Sequence, residues 1–236
     1  MKLCGLLELK ALRELEIEDY YYVDEFEWDN NEITFHGGVL PLLKAFGSSL
    51  VRLTLYQLNI WVNIRAIAKL EYLTLDDIAR CLVVLLEEES HHEEVMLKHL
   101  KKLRLAVSQE NSYGLFPSKV ISFVFVSLSL GPLVSLEFLG CDGLTDKFLE
   151  EATRLDRFKN LELLNISRCD NVTKKGIYCI LNERIPLTRL YVTGCNRIRK
   201  KESDEWRKKA REENWEITFG FEEPKTAETD SDADFD

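Results

Sequence analysis

Leu133-Val134-Ser135-Leu136-Glu137-Phe138-Leu139-Gly140-Cys141-Asp142-Gly143-Leu144-Thr145 decides how this chain is read. It recurs as Leu161-Glu162-Leu163-Leu164-Asn165-Ile166-Ser167-Arg168-Cys169-Asp170-Asn171-Val172-Thr173. A third copy runs Leu187-Thr188-Arg189-Leu190-Tyr191-Val192-Thr193-Gly194-Cys195-Asn196-Arg197-Ile198. Each opens with the spacing L-x-x-L-x-L, or an aliphatic equivalent, and reaches a cysteine after one further turn of backbone. Working outward, the same spacing occurs at Leu12-Leu15-Ile17, Leu50-Leu53-Leu55, Leu70-Leu73-Leu75 and Leu100-Leu103-Leu105. The starting leucines lie 38, 20, 30, 33, 28 and 26 residues apart.

The spacing has a physical consequence. Side chains alternate between the two faces of a strand, so the leucines of each copy point one way. A single strand cannot bury them. Parallel strands stacked about 4.8 Å apart bury them against each other and against the returning segments. Repeat lengths of about 20–29 residues are those of leucine-rich repeats, and the longer early intervals read as insertions. The expected fold is therefore α/β: a leucine-rich-repeat solenoid, curved, with parallel strands on the concave face and helices on the convex face.

The connecting segments agree. Thr145 to Arg157 carries Phe148, Leu149, Ala152 and Leu155 at helical spacing, with Asp146 and Glu150 near its start. Thr173 to Asn182, Val39 to Phe46 and Asp77 to Leu86 are also expected to be helical. Lys201 to Asn214 reads as a charged capping helix carrying Trp206 and Ala210, followed by a short strand, Trp215 to Phe219. The predicted division is a repeat domain with its cap over 1–221 and an acidic disordered tail over 222–236.

Composition bounds the function. Hydrophobic residues are 45% of the 236, enough for a large core, and glycine and proline number only 11 and 5. The formal net charge of −10 disfavours non-specific binding to nucleic-acid phosphates. Residues 222–236 hold seven acids against one lysine, so −6 of that charge belongs to the tail. The most apolar stretch, Val120 to Val134, is interrupted by serines and Gly131-Pro132 and is shorter than the roughly 20 residues that span a bilayer. The start of the chain does not read as a signal peptide. Six cysteines without a C-x-x-C pair suit a reducing compartment, cytoplasmic or nuclear.

Cys141, Cys169 and Cys195 in register resemble the cysteine-containing subclass of leucine-rich repeats found in F-box/leucine-rich-repeat proteins. The run from Phe35 to Leu50, with its Gly47-Ser48-Ser49 turn, resembles the helix-to-strand connection of that family. In the family the cysteine sits just after the strand and packs its small thiol inside the turn. The resemblance covers about Phe35 to Ile198. It implies a substrate-recognition repeat domain that holds a protein for a cullin-based ubiquitin ligase and catalyses nothing itself. Complete members carry a helical F-box module ahead of the repeats. With the first repeat at Leu12 there is no room for one, so the expectation is a fragment or a bare repeat domain. Cullin-ligase subunits are expected partners if an F-box exists upstream. The alternative is a ligase-independent scaffold or regulator, either a nuclear protein with an acidic tail or a mitochondrial assembly factor.

Partner-binding residues follow from strand alternation. The third, fifth and seventh positions of each copy face away from the leucines. The candidates on this face are Arg52, Tyr56, Tyr72, Asp76, Lys102, Arg104, Glu137, Asn165, Arg189 and Tyr191. Tyrosine and arginine favour protein interfaces, so a protein or peptide partner is expected, without nucleic acid or membrane. No catalytic, cofactor or metal site is expected. Ser90-His91-His92-Glu93-Glu94 is not H-E-x-x-H, because Met96 stands where the second histidine belongs. His92 and His99 with Glu88 read as a solvated insertion before Leu100 rather than as metal ligands. The basic run Arg197 to Arg211 reads as the wet face of the capping helix, with a nucleic-acid or nuclear-import role as the alternative. Thr229 and Ser231, each followed three residues later by an aspartate, resemble acidophilic kinase sites.

Overall fold

In the computed structural model, the described residues are 12–18, 40–46, 48–56, 69–76, 99–106, 132–181, 184–212 and 218–220. The predicted helix at Asp77 to Leu86, the histidine cluster at 91–92 and the tail with Thr229 and Ser231 lie outside them. The strands are β1 Glu14–Glu18, β2 Arg52–Tyr56, β3 Tyr72–Asp76, β4 Lys102–Ala106, β5 Ser135–Leu139, β6 Leu163–Ser167, β7 Arg189–Thr193 and β8 Thr218–Gly220. The helices are α1 Leu40–Phe46, α2 Asp146–Arg154, α3 Lys174–Ile180 and α4 Lys200–Glu212.

All eight strands form one parallel sheet in the order β1-β2-β3-β4-β5-β6-β7-β8. It is open: its two end strands do not pair with each other. Register follows the sequence spacing. Leu15, Leu53, Leu73, Leu103, Leu136, Leu164 and Leu190 form one row of register partners. These row members are buried; in the next row Leu55, Leu105, Phe138, Ile166 and Val192 are buried and Ile17 is partly buried.

The entry to each strand is built the same way six times. The carbonyl just before one strand accepts two N–H groups from the next. Arg13 O receives Val51 N and Arg52 N at 2.7 and 3.0 Å, and Val51 O receives Glu71 N and Tyr72 N at 2.9 and 3.1 Å. Glu71, Lys101, Val134 and Glu162 repeat the arrangement. Insertions between strands therefore leave the hydrogen-bond frame unchanged.

The cysteines close the turns. Cys141 Sγ donates to Leu105 O at 3.6 Å and to Leu139 O at 3.4 Å. Cys169 Sγ donates to Phe138 O and Ser167 O, and Cys195 Sγ to Ile166 O and Thr193 O. Each thiol thus spans its own strand end and the preceding strand. Burial pushes the Cys195 thiol up to about 12, and a hydrogen bond with Cys141 together with burial holds Cys169 far above the usual thiol range. These are packed thiols at neutral pH.

The helices pack on the leucine face. Phe148 of α2 meets Phe138 edge-on, with ring centroids 6.3 Å apart. Trp206 of α4 is fully buried. The helix starts differ from the sequence expectation. Thr145 is not inside α2 but caps it, accepting from Phe148 N at 3.3 Å. Asp146 turns its carboxylate away from its own helix. It accepts from Thr173 N at 2.8 Å, Thr173 Oγ1 at 2.6 Å and Gly176 N at 3.1 Å, and so ties α2 to the start of α3. Arg199 has no hydroxyl to offer α4. Instead its N–H donates to Glu202 Oε2 at 2.9 Å, the return half of a capping box.

Candidate functional site

The face of the sheet opposite the leucines carries every predicted site residue, in three rows of register partners. Row one reads Glu14, Arg52, Tyr72, Lys102, Ser135, Leu163, Arg189 from β1 to β7. Row two reads Glu16, Thr54, Thr74, Arg104, Glu137, Asn165, Tyr191, and row three reads Glu18, Tyr56, Asp76, Ala106, Leu139, Ser167, Thr193. Parallel pairing at matched positions makes residues distant in sequence into neighbours about 4.8 Å apart. Arg52, Lys102 and Arg189 are exposed; Tyr56, Tyr72, Arg104, Glu137, Asn165 and Tyr191 are half-buried. Asp76 is placed by the backbone of β3 in row three.

Two members of the rows are not available to a partner. Ser135 and Ala106 are buried, on either side of the Arg104–Glu137 pair that spans β4 and β5.

Contacts within the face are of three kinds. Arg52 stacks over the Tyr72 ring, its guanidinium carbon 4.3 Å from the centroid, and Lys102 Nζ approaches the same ring to 5.8 Å. Arg52 also pairs with Glu14, and Arg104 with Glu137, both at 3.6 Å. On β6 and β7, Ser167 donates to Asn165 Oδ1 at 2.8 Å and shares a short hydroxyl–hydroxyl hydrogen bond with Thr193. Just outside row one, Lys101 donates to Glu71 at 2.8 Å. That hydrogen bond holds the Glu71 carboxyl below, and the Lys101 ammonium above, its ordinary range.

Ser167 has an amide and a hydroxyl beside it, with no base hydrogen-bonded to it among the described residues. Among those residues no group of three or more His, Cys, Asp or Glu is placed to hold a metal ion, and no helix is long and apolar enough to cross a membrane. His99, considered above with His92, is an exposed residue just before β4.

The cation–aromatic stack at Tyr72 was not legible in the sequence. Arg52, Tyr72 and Lys102 were each named singly, but their meeting depends on register across intervals of 20 and 30 residues. The aspartate–asparagine ladder of the turns was missed as well. Asn171 Nδ2 donates to Asp142 O at 2.7 Å, and Asn196 donates through N and Nδ2 to the carboxylate of Asp170. The recurring Asp or Asn after each cysteine was its signal.

No protein-family model matches the chain, and no curated protein matches it.

Proposed function

We propose that this chain is a leucine-rich-repeat solenoid whose strand face, concave in such stacks, binds a protein. It serves as the substrate-recognition repeat domain of an F-box-type cullin ubiquitin ligase. The chain would perform no chemistry. It would hold a target while other subunits transfer ubiquitin.

One observation carries the reading. Seven copies of the L-x-x-L-x-L spacing coincide with seven consecutive parallel strands in unbroken sequence order and matched register. That is how a quasi-one-dimensional repeat stack is built, and such stacks present extended binding surfaces. The three turn cysteines, with the same donor geometry each time, support the cysteine-type subclass and, through it, the ligase assignment.

Affinity purification of the full-length protein from its native cells tests both levels. Cullin-ligase subunits are expected to co-purify. A stable partner recovered without any such subunit overturns the ligase role and leaves a ligase-independent scaffold. Asn165→Ala with Tyr191→Ala is expected to reduce recovery of the partner; unchanged recovery would remove the sheet face from the proposal.

A further inference from the structure

Charge is not spread evenly over the strand face. β1 presents Glu14 and Glu16, both exposed, and β5 presents Glu137. Between them, rows one and two hold Arg52, Lys102 and Arg104 with no acid on β2, β3 or β4 in either row. Arg52, Tyr72 and Lys102 stand in one row, with both cations over the tyrosine ring. The row beside them has the short Thr54 and Thr74, then Arg104. With Asp76 in row three, the face of these three strands sets three cations against one acid, on a chain whose formal net charge is −10.

We infer that the β2–β4 strip binds an extended acidic segment of a partner protein. The segment's carboxylates lie over Thr54 and Thr74 and meet Arg52, Lys102 and Arg104. This rests on the face being the partner surface and adds the partner's chemistry and its place on the sheet. The Arg52–Glu14 pair does not compete strongly: at 3.6 Å it exceeds hydrogen-bonding distance, and both side chains are solvent-accessible, the class of pair worth little. Tyr72 holds the two row-one cations over one ring, so less side-chain freedom is lost when a carboxylate arrives. The negative remainder of the chain repels the acidic segment and leaves the strip as its landing place. A polynucleotide fits worse. The strip is about 10–14 Å across, and a phosphate backbone continuing over it meets Glu14 and Glu16 on one side and Glu137 on the other.

The test is fluorescence anisotropy with a labelled peptide of alternating glutamate and serine and the full chain. Saturable binding that weakens with salt is expected. Arg52→Glu with Lys102→Glu is expected to weaken it at least about tenfold. Glu14→Lys with Glu16→Lys is expected to tighten it. Lys147→Glu with Lys159→Glu, an equal charge change at exposed positions on and after α2, is expected to alter it less than about twofold. Circular dichroism checks that each variant is folded, and Lys102→Glu alone serves if the double variant is not. The inference is overturned by unchanged affinity in the folded strip variant. It is equally overturned by tighter binding of a lysine–serine peptide, or by a single-stranded oligonucleotide that displaces the glutamate peptide at lower concentration. These outcomes are independent of whether ligase subunits co-purify. If the strip variants keep the native partner while Asn165→Ala with Tyr191→Ala loses it, the face remains the site and the acidic segment does not.

Discussion

Arg168 has φ 53°, a left-handed conformation in which a side chain crowds its own backbone. The equivalent positions before Cys141 and Cys195 are Gly140 and Gly194, at φ 64° and 62°. The turn before each cysteine therefore requires this conformation, and only one of the three copies lacks the residue that adopts it freely. Arg168→Gly is expected to stabilise the protein by about 1 kcal/mol, and Gly194→Ala to destabilise it by about 1–2 kcal/mol, by urea denaturation. Gly194 also faces a crowded neighbour, since a Cβ there would lie 3.0 Å from Arg168 Cγ. Gly176 is constrained by space instead. A Cβ on it would collide with Asp146 Oδ1, so Gly176→Ala is expected to break the contact between α2 and α3.

That contact governs the element scale. α3 is seven residues long, too short to be stable alone. Its start is fixed by two devices, the Thr173 hydroxyl accepting from Lys175 N at 3.1 Å and the Asp146 carboxylate from the neighbouring helix. Asp146→Ala removes three hydrogen bonds and leaves Thr173 N and Gly176 N without their acceptor. A loss of about 1–3 kcal/mol is expected, with faster amide exchange in α3 than in β6 as the measurement. Asp146→Asn keeps one acceptor oxygen and is expected to lose less. α4 relies on a different cap, Glu202, which also pairs with Lys174 at 3.7 Å.

At the scale of the molecule, the buried apolar residues among those described form one core cluster from Leu15 to Trp206. Leu164 on β6 belongs to it and has no exposure. Leu164→Ala is expected to cost about 2–5 kcal/mol, because neighbouring repeats cannot collapse into the space without breaking the strand register. The packed thiols add a pH dependence. Unfolded cysteine ionises near about 8.5, whereas Cys195 in the fold stays protonated up to about 12 and Cys169 is held higher still. Below the unfolded value both states keep the proton and stability is unaffected. As pH rises through that window only the unfolded chain gives up protons, so stability falls. The urea midpoint is expected to drop between pH 8 and pH 10, and a Cys195→Ala variant is expected to show a smaller drop.

The strands, their parallel order and the buried leucine rows were determined by the sequence itself. A spacing of three and two fixes which side of a strand is apolar, and a stack is the geometry that covers that side seven times over. The candidate face followed from the same alternation, whereas the packing of the cysteines into the turns was an expectation from the family resemblance. Tertiary structure alone decided which outward residues meet: Arg52 and Lys102 against Tyr72, Asp146 against Thr173 and Gly176, and Ala106 and Ser135 withdrawn from the surface. Alternation within one strand is a local, two-residue property that any single copy displays. Adjacency across strands depends on how insertions of unequal length are absorbed, and that is set by the shared carbonyl ladder, which no individual copy contains.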